Sequence, residues 1–500
     1  MPDKKHYFLV VLSFFFGVMG VFAFAPFHLY PIILISLAGF LWIVLRSSPQ
    51  QAFRRGFSYG LGFFGAGVYW VYISLHLFGG ASMLICLLLT ALFIAILSLF
   101  PACTAGILNK YFPQNTSVKM WLIFPAIWTL TEWVRTWIFT GFPWLLVGYT
   151  QTVWPLSNLA PIGGVYFISF VLAHIAGGLV YFIYAPNFRR RNTLTYIACL
   201  LIGCGIVSCQ QWTHPSGLPI PVTLVQGNVT PSLKWVPNRA NSIVQHYLGL
   251  SAGHWDNRLV IWPEAALPVS PFQNSAIFGQ LDSIAREHNA GLILGVPYPS
   301  PDLERSDYNA SIALGEASGL YLKRHLVPFG EYFPVENMSR FFLDWLNIPM
   351  SQFKAGQLHQ MPMSYGDVSI ATFICYEIIF PEEVRQRLKN AGFILMMSDD
   401  AWFGHSLAQA QHLQIAQMRA IETGRYVASV TNNGQTAIIN QKGKVIASLS
   451  PYQTGVLESQ VRIYSGQTAW TRFGSNLYLS LCILLIFIGR MTAKRFPILV

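Results

Sequence analysis

Hydrophobic and polar positions divide the chain into two regimes. Seven apolar runs come first, at Tyr7–Phe24, Tyr30–Leu45, Gly56–Leu77, Ser82–Leu108, Trp121–Thr140, Gly163–Tyr184 and Leu194–Cys209, and an eighth lies near Leu477–Gly489. Crossing the hydrocarbon core of a bilayer takes about 20 residues of helix. The runs therefore predict about eight membrane spans, of which the second and seventh are the shortest.

Between the seventh and eighth runs the pattern changes. Short β-rich runs recur at Val222–Val225, Leu259–Ile261, Gly291–Gly295, Ser311–Leu314, Val368–Phe373, Phe393–Met397, Tyr426–Val430, Ala437–Asn440 and Val445–Ser448. Helical patterns at Ser275–His288, Pro381–Asn390 and Ala408–Glu422 alternate with them. Strand–helix alternation predicts a layered α/β domain. The expected organisation is a membrane domain over 1–211, an α/β domain over 212–472, and an eighth span with a tail over 473–500. There is no internal repeat and no low-complexity linker.

Composition agrees. The chain has 500 residues, of which 53% are hydrophobic and 11% charged. Soluble proteins carry about 25% charged residues, and disorder needs low hydrophobicity with high charge. Both a purely soluble and a largely disordered chain are excluded.

The charge has a location. From Gln211 to Arg472 there are 18 Lys and Arg against 19 Asp and Glu, a net of −1, and the remainder supplies +12 of the overall +11. Lys4 and Lys5 precede the first run. Arg46, Arg54 and Arg55 follow the second, Lys110 and Lys119 the fourth, Arg189, Arg190 and Arg191 the sixth, and Arg490, Lys494 and Arg495 the eighth. The loops after the first, third and fifth runs have no Lys or Arg. Basic loops favour the cytoplasmic side, so both termini are expected there, with the polar middle on the far side. The first run also has the length of a signal peptide, but Phe24-Ala25-Pro26-Phe27 is a poor cleavage site. No basic–aromatic stripe points to nucleic acid.

Six of the seven cysteines lie in or beside apolar runs, and only Cys375 falls in the polar domain. Outside the cytoplasm cysteines usually pair, and Cys209 at the membrane edge is the one other candidate partner. Two readings of Cys375 stay open: a small buried hydrophobe closing the Ser369–Ile374 run, or a nucleophile at a strand end. A nucleophile needs a base and an oxyanion donor. Glu264, in Trp262-Pro263-Glu264-Ala265, ends one strand and is either a solvated loop acid or a site acid. Lys323, within Tyr321–Glu331, is either a surface lysine or a site cation. At strand ends of one α/β sheet the three would converge at one edge. His405 and His412 are seven apart, which is not one-turn spacing for a metal pair.

Glu264, Lys323 and Cys375, in this order, resemble the Glu-Lys-Cys triad of the nitrilase superfamily. The longer words Lys-x-His-Leu-Val-Pro-Phe-Gly-Glu from Lys323, Ile-Cys-Tyr-Glu around Cys375 and Asp400-Ala401-Trp402-Phe403-Gly404, inserted between seven spans and one, resemble the bacterial apolipoprotein N-acyltransferases. Thr140-Gly141-Phe142-Pro143-Trp144 in the membrane part also matches, and the resemblance covers essentially the whole chain.

The resemblance implies a nitrilase-like α-β-β-α sandwich on a polytopic helical bundle in the bacterial inner membrane, with the catalytic domain on the periplasmic face. It implies ping-pong transfer of an acyl chain from phosphatidylethanolamine or a related phospholipid, through a Cys375 thioester, to the α-amine of a diacylglyceryl-cysteine at an apolipoprotein N-terminus. Glu264 is then the base, Lys323 and the Tyr376 N–H stabilise the oxyanion, and Lys323 lowers the thiol pKa. Glu331 is a further acid, Tyr376 and Glu377 shape the nucleophile loop, and Trp235 sits on a flap. Trp144, Trp402 and Phe403 are supporting or substrate-binding positions. No cofactor or metal is implied, and the enzyme is expected to be a monomer.

Other features join this picture. The aromatic patch Phe341-Phe342-Leu343, Trp345-Leu346, Ile348 and Met350 is either a membrane-dipping or acyl-binding surface or an ordinary buried helix face. Glu132 and Arg135 share one face of the fifth run, as a structural pair or a headgroup contact. Three positions depart from the family pattern: Asp399 where Asn is usual, Ser429 where a basic residue is common, and His405 where an acid is frequent. A membrane-bound nitrilase-type amidase is the alternative enzyme; a transporter or receptor with a dead domain would have lost a triad residue.

Overall fold

The computed structural model describes residues 4–77, 82–114, 116–153, 155–236, 239–300, 307–332 and 353–492. The Phe341–Met350 patch and the basic residues Lys494 and Arg495 lie outside the described residues. The chain divides into two compact units: 1–72, 82–211 and 469–500 form one, and 73–81 with 212–468 the other.

The first unit is helical. Met83–Tyr111, Leu156–Tyr184 and Asn187–Cys209 have the length and apolar composition to cross a membrane. Pro49–Gly67 and Trp70–Leu77, bent by 54° across a short break, would make a fourth span. His6–Val21, Ile32–Leu45 and Asn476–Met491 are shorter apolar helices. Helix starts follow local chemistry. Before Pro49, Ser48 accepts from Gln51 N at 3.4 Å while the Gln51 side chain accepts from Ser48 N at 3.2 Å, a reciprocal cap.

The fifth run departs from the expected single span. A π-helical turn at Lys119–Ile123 leads into an α-helix of only 12 residues, Phe124–Arg135. The chain then reverses through Phe139 and Gly141, whose φ values are 52° and 88°. Hydropathy did not register this break because the loop after it is itself apolar. Its polar backbone is satisfied by the two charges of the helix. Arg135 donates to the carbonyls of Phe142 and Trp144 at 2.7 and 2.5 Å, and Glu132 Oε1 accepts from Val147 N at 2.8 Å.

Among the described residues the second unit has fifteen strands: β1 (Thr213–Pro215), β2 (Ile220–Gln226), β3 (Leu259–Ile261), β4 (Gly291–Pro299), β5 (Asp307–Gly315), β6 (Ala317–Ser318), β7 (Leu320–Leu322), β8 (Met363–Tyr365), β9 (Val368–Ile374), β10 (Phe393–Ser398), β11 (Val427–Thr431), β12 (Ala437–Ile439), β13 (Val445–Ser448), β14 (Gly455–Val461) and β15 (Tyr464–Gly466). They form a six-stranded sheet ordered β14-β2-β3-β4-β5-β7, a seven-stranded sheet ordered β13-β12-β11-β10-β9-β8-β6, and a small β1-β15 pair. One apolar core joins the two large sheets face to face, through Val222, Leu224, Ile261 and Ile293 on one and Ile370, Phe393, Leu395 and Val430 on the other.

A second core, with Tyr247, Trp262, Phe278 and Leu281, packs helices Ala240–Ser251 and Ser275–Glu287 on the six-stranded sheet. Helices Pro381–Leu388 and Ala408–Thr423 pack on the other sheet. The layers are α-β-β-α. At the centre of each sheet strands run parallel, β2-β3-β4 and β9-β10-β11. Parallel strands covered on both faces read as continuous apolar runs, and β10, Phe-Ile-Leu-Met-Met-Ser, is buried throughout.

Candidate active site

The site residues follow strand ends, but of two sheets rather than one. Glu264 follows β3 and Lys323 follows β7 in the six-stranded sheet, whereas Cys375 follows β9 in the seven-stranded one. A single-sheet convergence is therefore corrected to a meeting across the sandwich. The strand pattern predicted the strands, not which sheet each would join.

Cys375 opens a tight turn, Cys375–Ile379, with φ at 54°. A left-handed conformation at a residue with a side chain is strained and persists only where the surroundings fix it. Glu377 does the fixing. Its Oε2 accepts from Ile374 N at 2.8 Å, just before the nucleophile candidate. Its Oε1 accepts from Arg324 N at 2.9 Å and His325 N at 3.2 Å, just after Lys323. Tyr321 Oη donates to it at 2.7 Å and Arg387 lies 3.1 Å away. One fully buried carboxylate thus ties the end of β9 to the end of β7. Burial pushes that carboxyl up to about 8, while the N–H groups of Ile374 and Arg324 pull it back towards the ionised form.

Lys323 is 1% exposed. Its Nζ lies 2.8 Å from Glu331 Oε1 and 3.2 Å from Glu264 Oε1. Asn309 Nδ2 donates to the same two oxygens at 2.9 and 2.7 Å. The second oxygen of each carboxylate takes a backbone N–H: Asp399 N to Glu264 Oε2 and Val327 N to Glu331 Oε2, both at 2.8 Å. Gly295 in β4 makes room for the Glu264 turn, since a Cβ there would lie 2.4 Å from Ala265 N and 2.7 Å from the Glu264 Cα. Burial opposes the Lys323 charge, but the carboxylates of Glu264 and Glu331 outweigh it and hold the ammonium above the usual lysine range. Charge-assisted bonds of this kind are the strong ones, and losing one partner leaves a buried charge exposed to its full desolvation cost.

The Cys375 thiol senses this cluster. Burial pushes its pKa up, the Glu264 carboxylate pushes it further, and the Lys323 cation pulls it down without prevailing. The net direction is well above the ordinary thiol value, the opposite of what Lys323 alone would impose. The resting sulfur is a thiol beside a carboxylate, and thiolate forms as the proton leaves.

On the other side of Cys375 stands a second polar group. Ser398 Oγ donates to Asp400 Oδ1 at 2.5 Å, His412 Nδ1 lies 3.2 Å from that oxygen, and His412 Nε2 lies 3.3 Å from the Cys375 carbonyl. His412 therefore belongs to the nucleophile turn. Among the described residues, no cluster of three or more His, Cys, Asp or Glu is arranged to hold a metal.

The remaining candidates scatter. Trp235 is 52% and Trp402 43% exposed. Ser74 Oγ donates to the Trp402 carbonyl at 2.7 Å, and the Phe403 ring meets His412 edge-on. The Tyr376 ring packs against Phe380 and His325. Trp144 belongs to the helical unit, buried between Trp70 and Phe142. Its ring packs against both of theirs. Sequence reasoning missed Asn309, which carries no motif and shows only as a polar residue inside a buried strand. It also missed Asp400 and His412 as members of the site, although Asp400 stands inside a word that was read.

Comparison with known proteins agrees with this architecture. The family model for the apolipoprotein N-acyltransferase N-terminal domain matches residues 16–178, and the carbon-nitrogen hydrolase model matches residues 222–469. An apolipoprotein N-acyltransferase of Methylococcus capsulatus is 40% identical over 467 residues, covering 93% of this chain and 92% of the relative. One of Coxiella burnetii is 39% identical over 480 residues, covering 96% and 98%. Among solved structures, an amidase from Nesterenkonia aligns at 20% identity with a TM-score of 0.35, covering 54% of this chain and 98% of that one. With two family models in tandem and relatives similar over nearly its whole length, the chain belongs to the apolipoprotein N-acyltransferase family.

Proposed function

We propose that this enzyme moves a fatty acyl chain from phosphatidylethanolamine or a related phospholipid to the α-amine of the diacylglyceryl-cysteine that begins an apolipoprotein. One observation carries the mechanism: the strained turn of Cys375 is tied through Glu377 to the strand end that bears a buried lysine held between two carboxylates.

In the first half-reaction Glu264 takes the thiol proton as Sγ bonds to the ester carbonyl carbon. The oxyanion is held by the Lys323 ammonium and the Tyr376 N–H. The C–O bond breaks, protonated Glu264 returns its proton to the departing lysophospholipid oxygen, and a thioester remains. In the second, the lipoprotein amine attacks that thioester and gives its proton to Glu264, the C–S bond breaks, and Glu264 passes that proton to the departing sulfur, regenerating thiol and carboxylate. Glu331 fixes Lys323 throughout, and Glu377 fixes the Cys375 turn.

Both substrates carry chains that stay in a bilayer, which accounts for helices of membrane-spanning length on the same chain. The loop charges support both termini on the cytoplasmic side with residues 212–472 on the far side, and membership in the family supports the bacterial inner membrane, with that far side periplasmic. The test is intact mass of purified protein after incubation with phosphatidylethanolamine. A hydroxylamine-labile acyl adduct on wild type, absent in Cys375→Ala, is the expected result. No adduct on folded wild type would overturn the thioester route, and an adduct discharged by water as fast as by a lipopeptide amine would make the enzyme a hydrolase.

A further inference from the structure

Lys234 ends a short helical turn, Pro231–Lys234, in the segment after β2. Its side chain is 1% exposed and its ammonium meets the carboxylate of Asp399, itself 7% exposed. Desolvating two charges costs several kcal/mol per ion, so such a pair persists where further hydrogen bonds support it. Asn432 supplies them. Its Nδ2 donates to Asp399 Oδ1 at 3.0 Å and to the Val229 carbonyl at 2.7 Å, and its Oδ1 accepts from Val229 N at 3.0 Å. Asn228 N donates to the Asn432 carbonyl at 2.7 Å. The Asn228–Lys234 segment is tied to the loops that follow β10 and β11.

Asp399 also faces the other way. Its backbone N–H is the 2.8 Å donor to Glu264 Oε2. One residue therefore touches the candidate base with its backbone and the preceding segment's cation with its side chain. Among the described residues, the charged and titratable groups around Glu264 are Lys323 after β7, Glu331 in the next turn, Cys375 after β9 and Asp399 after β10. Of these, only Asp399 has its charge cancelled from the Asn228–Lys234 segment.

We propose that Asp399 and Lys234 are a positioning pair for acyl transfer: Asp399 orients Glu264, and Lys234 neutralises Asp399 beside it when the Asn228–Lys234 segment is seated. The proposal rests on Glu264 being the base. Unseating the segment leaves an uncancelled carboxylate next to Glu264, and a neighbouring like charge favours the protonated acid. The base then loses its proton-accepting form at higher pH. Asn at position 399 would leave no charge to cancel, so this coupling is a property of the Asp in this chain.

The test is single-turnover acylation of Cys375 against pH, with full-length protein and phosphatidylethanolamine in mixed micelles, read by intact mass. Lys234→Met is expected to move the acid limb of the profile up by about one pH unit. The double variant Lys234→Met/Asp399→Asn removes both charges and is expected to return the limb to its wild-type position. Thermal midpoints of each variant separate lost fold from altered chemistry. An acid limb that stays put in Lys234→Met, or activity that falls only in step with folded protein, would show the pair to be structural and overturn the proposal. A shift that the double variant fails to reverse would overturn it too, since the charge of Asp399 would not be its cause. Glu264→Gln is run alongside: acylation surviving in it would break the assignment of the base itself, whatever the pair does.

Discussion

Asn309 donates at 2.7 Å to Glu264 Oε1, the same oxygen that Lys323 approaches at 3.2 Å. The amide also reaches Glu331, so one neutral group solvates both carboxylates that flank the lysine. Removing a buried partner costs about 1–3 kcal/mol, and each 1.36 kcal/mol is a factor of ten in rate where the transition state bears it. Asn309→Ala is expected to slow Cys375 acylation by about 10- to 100-fold while the protein still folds. An unchanged single-turnover rate would remove Asn309 from the site.

The raised thiol of Cys375 gives a pH signature with a definite sign. Burial is the largest cause, Glu264 adds to it and Lys323 opposes it. Alkylation by iodoacetamide needs the thiolate, so the wild-type rate is expected to keep climbing above the pH at which an ordinary cysteine levels off. Glu264→Gln deletes a carboxylate and should bring the rise to lower pH even as acyl transfer is lost. Lys323→Met deletes the cation and should push it higher. The same order of the three curves reversed, or three coincident curves, would mean that these charges do not act on the sulfur.

The central strands were legible because parallel strands buried on both faces leave unbroken apolar runs, as in β3 and β10. Several others were not, β7, β8 and β14 among them, although the three-residue β12 and the edge strand β13 were read as Ala437–Asn440 and Val445–Ser448. β14 alternates through Glu458 and Gln460, β7 and β8 are three residues long, and all three pair antiparallel. Among the candidate site residues, Glu264 and Cys375 stood out as polar groups at strand ends, whereas Lys323 stood in a mixed-charge stretch and was marked by the nitrilase-like word that begins with it. Their assembly did not stand out, since sheet membership depends on pairings distant in sequence. Asn309 and the Asp400–His412 contact arise only when elements pack. In the helical unit, hydropathy marks apolar length and is blind to whether backbone continues as helix, which is why the fifth run was read straight through its reversal.

Glu377 is positioned so that even its amide is a poor substitute. Three backbone N–H groups, those of Ile374, Arg324 and His325, point at its two oxygens. In Glu377→Gln one of those oxygens becomes an NH2 and meets a donor with a donor. The strained Cys375 turn then loses one of its two tethers. Glu377→Gln is expected to reduce acylation at least about 100-fold, comparable to losing an oxyanion donor, with a modest fall in thermal midpoint. A glutamine variant with near wild-type acylation would show that the turn holds itself.

Arg135 supports the apolar loop 142–147 from the end of a short helix. It is 3% exposed, and its guanidinium is the donor to the carbonyls of Phe142 and Trp144. Nothing in a bilayer replaces such donors, so carbonyls stripped of them stay unsatisfied. Glu132, one turn earlier and also buried, accepts from Val147 N. Arg135→Met therefore orphans two carbonyls, and each buried acceptor left without its donor costs about 1–3 kcal/mol. The expected outcome is a clearly lower thermal midpoint in detergent, with Cys375 in the surviving folded fraction still alkylated at the wild-type rate. Arg135→Lys should recover part of the midpoint, because an ammonium supplies charge but not the planar fork that spans two carbonyls. If Arg135→Met kept its midpoint and lost acylation instead, Arg135 would belong with the substrate rather than with the loop.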